Sequence, residues 1–311
     1  MIKRTLYFGN PAYLSTKYAQ LEIRLPEVEK NSTLPESFKA SAVKQIPIED
    51  IGVVVLDNKQ ITITQGALSE LLDNNVALIS CDEHRMPIGL MLPLAGNTTQ
   101  SERFRHQIEA SLPLKKQLWQ QTIQAKITNQ SAVLRQQRGL ECGNMEAWVK
   151  QVKSGDSDNL EGRAAAFYWQ YLFGDIEGFH RDREGVAPNN LLNYGYAILR
   201  AVVARSLVGS GLLPTLGIHH HNRYNAYCLA DDIMEPYRPF VDKLVAEIVD
   251  SGIDISKLTT EIKSKLLSIP VLDVVINGRR SPLMIAVATT TASLYKCYSG
   301  EIRKIAYPTM E

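Results

Sequence analysis

The chain has 311 residues, of which 45% are hydrophobic and 22% charged, and its formal net charge is +1. These values are typical of a globular protein with a full hydrophobic core, and they exclude a disordered or collagen-like chain. A net charge near zero also excludes a strongly basic protein, so any DNA-binding surface must be a local cluster of basic residues.

Residues 1–94 carry mainly strand patterns. Alternating or short β-branched runs occur in AQLEIRL, DIGVVVLD, QITITQ, VALISCD and PIGLMLPL. One helix is predicted over 66–75, because Leu68, Leu71 and Leu72 have helical spacing and an Asn-Asn pair follows. These patterns predict a small β-rich N-terminal domain.

Residues 95–102 (AGNTTQSE) are small, polar and turn-rich, as in a linker. Beyond them apolar residues recur at three- and four-residue spacing, and helices are predicted at 144–153, 160–173, 189–210, 229–250, 256–267 and 281–298. The predicted fold class is therefore α+β, with the small β-rich domain followed by a larger all-α domain over 103–311.

Targeting and membrane patterns are weak. The N-terminal MIKRTLYFGNPAYL lacks the apolar core of a secretory signal, and the most apolar long stretch is interrupted by Arg200 and Arg205. Four scattered cysteines without a CxxC pair favour free thiols in a reducing compartment. The expected location is the cytoplasm, with no membrane-spanning segment.

A first candidate site residue lies in the predicted helix NLEGRAAAFYWQYLFG, whose N-cap is Asn159. Glu161 lies in the first turn and shares a face with Ala165, Tyr168 and Leu172, which are small or apolar. This carboxylate is expected to face the interior, where it needs a cation or a hydrogen-bond donor. The simpler interpretation is an acid stabilised by the helix dipole.

A second polar group lies in LGIHHHNRYNAYCLADDIMEP, residues 216–236. Asp232 and Glu235 are three residues apart, so their carboxylates project from nearly the same face of a helix, and Pro236 predicts a distortion at Glu235. His219–His221 lie just upstream. A set of Glu, His and acidic ligands suits a divalent ion such as Mg²⁺ or Mn²⁺, whereas a surface loop before an ordinary N-cap is the alternative.

Three stretches occur together in an order that resembles the CRISPR-associated integrase-endonucleases, and most closely those of type II systems. They are EGRAAAFYW, GIHHHNRYNAYCLADDIMEPYRPFVD and the N-terminal segment at 46–94. The resemblance covers nearly the whole chain. It implies a β-rich dimerisation domain over 1–94 and a helical catalytic domain over 103–311.

The resemblance also implies a catalytic metal site formed by Glu161, His220 and Glu235. Glu161 opens the EGxAA block, His220 matches the family's glycine-hydrophobic-x-histidine pattern, and Glu235 matches the acidic residue of DIMEP. Asp232 is a further acidic contributor. A shift of one residue would replace His220 with a neighbouring histidine, and the sequence leaves open whether His220 binds the ion or transfers a proton.

The reaction implied by the resemblance is insertion of foreign DNA fragments into the CRISPR array. A DNA 3′-hydroxyl attacks a phosphodiester in the repeat, and bound Mg²⁺ or Mn²⁺ polarises the phosphoryl oxygen. With water as the nucleophile, the same site would act as an endonuclease. Members of the family form homodimers, and two dimers flank a small ferredoxin-like CRISPR adaptation subunit in a hetero-hexamer.

Arginines near the predicted site would hold the phosphates of double-stranded DNA. Arg223 and Arg238 are favoured because they flank the proposed ligands, although ion pairing is the alternative for each arginine. The further candidates are Arg163 beside Glu161, Arg181 and Arg183 on a loop before a helix, and Arg279 and Arg280 in a predicted turn.

Two other functions are compatible with these residues. In a non-catalytic DNA-bridging scaffold, Glu161, His220 and Glu235 would form only a buried polar network. In a metal-dependent hydrolase of small molecules, the histidine-rich loop would bind the metal, and the protein would have no affinity for duplex DNA.

Overall fold

The structure is a computed structural model that describes residues 2–310. The chain divides into two compact units, Met1–Gly96 and Asn97–Glu311, called here the N-terminal and C-terminal units. The strands of the N-terminal unit are Arg4–Phe8 (β1), Tyr13–Lys17 (β2), Gln20–Arg24 (β3), Lys44–Pro47 (β4), Ile51–Leu56 (β5), Thr62–Ile63 (β6), Ala77–Cys81 (β7) and Pro87–Met91 (β8). Its helices are Pro26–Glu29 (α1), Glu36–Ser41 (α2) and Gln65–Asp73 (α3).

Two four-stranded sheets form the N-terminal unit, with strand orders β1-β5-β7-β8 and β4-β3-β2-β6. In the first sheet β1, β5 and β7 are parallel and β8 is antiparallel to β7. The predicted strand QITITQ is shorter than expected, because Thr64 caps α3 by accepting a hydrogen bond from the Ala67 backbone N–H. The helix therefore begins where the alternating pattern predicted more strand.

The C-terminal unit is mostly helical. Its helices are Gln100–Glu109 (α4), Leu112–Arg138 (α5), Gly143–Gln151 (α6), Leu160–Leu172 (α7), Asn189–Gly209 (α8), Cys228–Met234 (α9), Arg238–Asp250 (α10), Thr260–Leu266 (α11) and Leu283–Tyr298 (α12). The long helix α5 packs against α6, α7 and α10. It begins at the N-cap Ser111 and ends at Gly139, whose φ of 61° is the left-handed conformation common after a helix.

The predicted fold class, a β-rich region followed by a larger helical one, is confirmed. The C-terminal unit is not entirely helical, however, because Asp273–Ile276 (β9) and Arg279–Pro282 (β10) form an antiparallel hairpin. Asn277 and Gly278, both with positive φ, make its turn. Helix α4 begins at Gln100, inside the segment 95–102 that was predicted to be a linker.

None of the helices within residues 2–310 combines the length and the apolar character needed to cross a membrane.

Candidate active site

The centre of the candidate site is Lys126, a residue on the buried face of α5. Its side chain is only 10% exposed, and a buried ammonium requires negative partners. Lys126 Nζ lies 2.6 Å from Glu161 Oε1 and 2.6 Å from Glu235 Oε2. Two carboxylates far apart in the sequence therefore share one cation. Burial alone would lower the pKa of Lys126, but the charges of Glu235 and Glu161 outweigh it and raise that pKa.

Glu161 is positioned by the start of α7. The Asp156 carboxylate accepts hydrogen bonds from the backbone N–H groups of Leu160 (3.0 Å) and Glu161 (2.9 Å), and Asn159 Oδ1 accepts one from Gly162 (3.3 Å). These bonds satisfy donors that are otherwise unpaired in the first turn of a helix. The predicted N-cap at Asn159 is confirmed, and Glu161, the second residue of α7, is held at a fixed place beside α5.

Glu235 lies in a 3₁₀ turn, Glu235–Tyr237, between α9 and α10. The distortion predicted from Pro236 is therefore present. The Glu235 side chain is 5% exposed, and its Oε1 lies 2.9 Å from Arg238 Nε, while Oε2 faces Lys126. Burial would raise the pKa of this carboxyl, but the charges of Arg238 and Lys126 outweigh burial and lower it. Glu235 is held as a carboxylate between two cations.

The histidine loop is held by Asp232, which is fully buried. The carboxylate accepts hydrogen bonds from the backbone N–H groups of Ile218 (2.7 Å), His219 (3.0 Å) and His220 (3.3 Å). It also lies 2.5 Å from the ring nitrogen Nδ1 of His220. A Cβ at Gly217 would lie 2.7 Å from Asp232 Oδ2 and 2.3 Å from the His220 carbonyl oxygen, so the loop needs glycine there.

His220 is the histidine whose charge interacts with both Glu235 and Glu161. The hydrogen bond to Asp232 raises its pKa, burial opposes that effect, and the charges of Glu235 and Glu161 add to the rise. Because Nδ1 is held by Asp232, Nε2 is the ring nitrogen left for other chemistry. This is the arrangement that metal-binding histidines usually have, with the second nitrogen bonded to a carboxylate.

His219 has a different environment. Its ring stacks on Trp119 of α5, with centroids 4.1 Å apart and an interplanar angle of 1°. Burial and the neighbouring His220 lower the pKa of His219. His221 is exposed. The structure therefore separates the three histidines by their contacts and favours His220 for the predicted role, which the contacts alone do not test.

A divalent ion fits this site in donor type. Carboxylate oxygens are the ligands that Mg²⁺ and Mn²⁺ prefer, and a mixed set of oxygens with one imidazole nitrogen suits a borderline divalent ion such as Mn²⁺. In the geometry of residues 2–310, however, no three His, Cys, Asp or Glu side chains converge closely enough to hold an ion together. The Lys126 ammonium lies between Glu161 and Glu235 and supplies the positive charge that a metal would supply. Asp232, predicted as a further ligand, holds the histidine loop in this structure, and its role as a ligand stays a prediction.

The arginines predicted to bind DNA have unequal surroundings. Arg238 is paired with Glu235, and its guanidinium lies 4.7 Å from the centre of the Tyr196 ring. The ion-pair alternative therefore describes Arg238 in this structure. Arg181 donates hydrogen bonds to Asn189 Oδ1 and Asn193 Oδ1, both 2.9 Å. These bonds attach the loop that carries Arg181 to the first turns of α8.

The other candidate arginines are more exposed. Arg163 lies 4.8 Å from the centre of the Trp148 ring, and Arg223 lies 4.6 Å from that of Tyr224. Arg183, Arg279 and Arg280 are also exposed. The last two lie on β10, directly after the hairpin turn rather than in it. Exposure makes all five accessible to a phosphate backbone, and DNA binding by them stays a prediction.

Sequence reasoning missed Lys126 and Trp119. A signal was present, because both lie on the stripe of α5 that also carries Leu118, Ile123 and Ile127. A lysine on the apolar stripe of a helix is rarely buried without a carboxylate partner. That rule pointed to an acidic partner for Lys126 without saying which of the 33 acids it is.

A family profile described as "CRISPR associated protein Cas1" matches residues 8–268 of the chain. The chain belongs to the Cas1 family. The resemblance predicted from three stretches of sequence is confirmed. Glu161, His220, Glu235 and Lys126 all lie within the matched range, whereas the hairpin arginines lie beyond it.

Individual comparisons agree with Cas1 membership. The chain is 41% identical over 223 residues to a CRISPR-associated endonuclease Cas1 of Neisseria meningitidis serogroup C (strain 8013), covering 71% of this chain and 72% of that protein. A solved casposase bound to integration product has a TM-score of 0.75 at 21% identity, covering 98% of this chain and 92% of that one. A chain of a Cas6-RT-Cas1–Cas2 complex has a TM-score of 0.70 at 18% identity, covering 97% of this chain and 35% of that one. At these identities the two structures show a shared fold.

Proposed function

We propose that this protein is a divalent-metal-dependent DNA integrase and endonuclease that inserts foreign DNA fragments into a CRISPR array. In this reaction a DNA 3′-hydroxyl attacks a phosphodiester of the repeat, a new phosphorus–oxygen bond forms, and the 3′-oxygen of the cut repeat strand leaves. The observation that carries the proposal is that Glu161 and Glu235 share the ammonium of Lys126 with His220 beside them. The relative from Neisseria meningitidis is named an endonuclease and the casposase was solved with an integration product, which supports the same class of chemistry.

Glu161 and Glu235 would hold Mg²⁺ or Mn²⁺, with His220 as a third ligand or as the residue that moves a proton through Nε2. A bound ion would polarise the phosphoryl oxygen and stabilise charge on the entering or leaving oxygen. Asp232 fixes the ring orientation of His220 through Nδ1. Arg238 forms an ion pair with the other oxygen of Glu235 and would keep that carboxylate in one orientation.

The DNA would be held by exposed basic side chains. Arg223 is the favoured contact, because it follows the histidine loop closely and is paired with an exposed tyrosine rather than with an acid. Arg163, two residues after Glu161, would be a further phosphate contact. Arg183, Arg279 and Arg280 are further candidates for phosphate contact. Such contacts would weaken steeply with salt, since they release counterions from the DNA.

The assembly proposed for the protein is a homodimer formed through the β-rich residues 1–94. Two such dimers would flank a small ferredoxin-like adaptation subunit in a hetero-hexamer on double-stranded DNA. The solved Cas6-RT-Cas1–Cas2 complex supports an assembly of Cas1 with Cas2. The cytoplasm is the proposed location.

Replacement of Glu161 by glutamine tests the function most simply. Glu161→Gln keeps the size of the side chain and removes the charge. We expect joining of DNA to a supercoiled plasmid carrying the repeat to fall by about a hundredfold or more in Mn²⁺, as for loss of one strongly stabilising catalytic group. Duplex DNA binding, measured by gel shift, should be retained.

Glu146→Gln is the matched control, because Glu146 is also a first-turn glutamate but is exposed and pairs with Arg135 at the surface. It should join DNA at the wild-type rate. Wild-type joining by Glu161→Gln in Mn²⁺ would end the metal-site proposal.

A non-catalytic DNA-bridging scaffold is the second candidate function. Its support is the Lys126 contact, since one ammonium already forms ion pairs with both carboxylates, as a structural network would. The scaffold predicts salt-dependent duplex binding without any joining. Wild-type protein assayed on supercoiled DNA, with and without the small partner subunit, separates the two functions.

A further inference from the structure

We propose that Lys126 is a built-in counter-cation that competes with the divalent ion for Glu161 and Glu235. Metal binding would then require the ammonium to leave both carboxylates. The inference rests on the proposed function, because it concerns the same site, but it assigns a role to a residue outside the predicted ligand set.

The first support is the position of the ammonium. Nζ makes contacts of equal length, 2.6 Å, with one oxygen of each carboxylate. An ion that bound Glu161 and Glu235 from the side where the ammonium lies would need these same oxygens, so it would compete with Lys126 for them.

The second support is charge. Without a metal, the carboxylates of Glu161 and Glu235 are balanced by the cations of Lys126 and Arg238. A divalent ion added to this cluster would leave two positive charges uncompensated in a largely buried region, which is costly. Withdrawal of Lys126 reduces that excess, and a DNA phosphate would remove the remainder.

The third support is that Lys126 and Arg238 contact different oxygens of Glu235. Arg238 binds Oε1, and Lys126 binds Oε2. Loss of the lysine contact would leave the carboxylate anchored by Arg238. A lysine stem on α5 has the rotatable bonds needed to move, whereas the guanidinium of Arg238 is also packed on the Tyr196 ring.

The consequence is that the free protein binds metal weakly and binds it more tightly when DNA is present. Lys126 would keep the two acidic side chains in place between reactions. It would be a positioning residue, which contacts the acidic ligands and not the reacting atoms.

Amine labelling of the wild-type protein tests the displacement directly. The protein is treated briefly with an acetylating reagent, with and without Mg²⁺ and without DNA, and the modified peptides are quantified by mass spectrometry. We expect acetylation of Lys126 to rise about fivefold or more with Mg²⁺, because a buried, doubly paired amine becomes accessible. Lys243, which donates a hydrogen bond to Gln136 at an exposed site, is the internal control and should not change.

Metal affinity provides the second measurement, by EPR of free Mn²⁺ in the absence of DNA. We expect Lys126→Met to bind Mn²⁺ about tenfold more tightly than wild type, because the competing state is removed. Lys126→Arg keeps the charge and should bind as weakly as wild type, and Lys243→Met should be unchanged. If Lys126→Met does not fold, the acetylation experiment on the wild-type protein alone tests whether the metal displaces Lys126.

The outcomes separate this inference from the proposed function. Equal Mn²⁺ affinity in wild type and Lys126→Met, or Mg²⁺ binding without a change in Lys126 labelling, overturns the role of Lys126 and leaves the metal site standing. Absence of Mn²⁺ binding in both proteins overturns the metal site and the inference together.

Discussion

Glu235 and Asp242 are buried acids seven residues apart, and their surroundings give them opposite charge preferences. Glu235 lies between Lys126 and Arg238, and its pKa is lowered despite burial. Asp242 instead accepts hydrogen bonds from the hydroxyls of Tyr168 and Tyr196. Burial, only partly offset by these bonds, raises the pKa of Asp242 to about 7.

The difference teaches that a directly paired cation, rather than depth of burial, decides whether a buried acid stays charged. The Glu235 cluster consists of Glu235, Glu161, Lys126 and His220, and the Asp242 cluster of Asp242, Tyr168 and Tyr196. Arg238 lies near both clusters, but its guanidinium pairs with Glu235 and only stacks on Tyr196. The Glu235 cluster therefore has the charged oxygens that a divalent ion requires. The Asp242 cluster has the character of a structural network.

Stability should show the largest contrast between the clusters. Lys126→Met would leave two carboxylates near each other without their shared cation, and we expect the free energy of unfolding without metal to fall by about 3–5 kcal/mol. Tyr196→Phe removes one hydrogen bond to Asp242 and should cost about 1–2 kcal/mol. Urea denaturation measures both. Equal losses would mean that the ion pairs contribute no more than the hydroxyl.

Activity should sharpen the contrast through the histidine that belongs to the Glu235 cluster. His220→Ala removes the ring oriented by Asp232, and we expect DNA joining in Mn²⁺ to fall by about tenfold to a hundredfold. His219→Ala removes a ring stacked on Trp119 and should reduce joining by about threefold or less. If His220→Ala joins DNA at the wild-type rate and His219→Ala or His221→Ala does not join DNA, the catalytic role is reassigned to that neighbour.

The dependence of stability on pH should show the smallest but most specific contrast. The folded-state pKa of Asp242 is about 7, above its ordinary value of 3.8, so its contribution to stability is present at low pH and is lost as pH rises through about 7. The charges near Asp242 are those of Arg238 and Arg181, and both variants below keep them.

Glu235 should act in the opposite direction. Its pKa is lowered, so its contribution to stability is present above its ordinary value of 4.5 and is lost as pH falls below that value.

Asp242→Asn should flatten the decline in melting temperature between pH 5 and pH 8, and the control variant Glu146→Gln should not. A decline unchanged in Asp242→Asn would contradict the raised pKa.

Local features of the site could be predicted from sequence. Asn159 marks the start of α7, and Pro236 marks the distortion at Glu235, because caps and prolines act on their own neighbours in the chain. The identity of Glu161, His220 and Glu235 came from the family resemblance rather than from spacing. The roles of these three residues stay predictions.

The partners of these residues could not be predicted in the same way. Lys126 reaches Glu161 and Glu235 only because α5 packs against α7 and the turn before α10. The spacing of Asp232 with Glu235 predicted a metal ligand but did not predict the bonds that its oxygens accept from the backbone of the preceding loop. Such contacts depend on tertiary packing, which helical periodicity does not specify.

The central claim is that Glu161, His220 and Glu235 hold one divalent ion, and anomalous diffraction from crystals grown with Mn²⁺ tests it most directly. The expected result is a manganese peak bonded to the carboxylates of Glu161 and Glu235 and to a ring nitrogen of His220, with the Lys126 ammonium withdrawn. Crystals with saturating Mn²⁺ in which Lys126 still bridges the two carboxylates, and in which manganese binds elsewhere, would contradict the account.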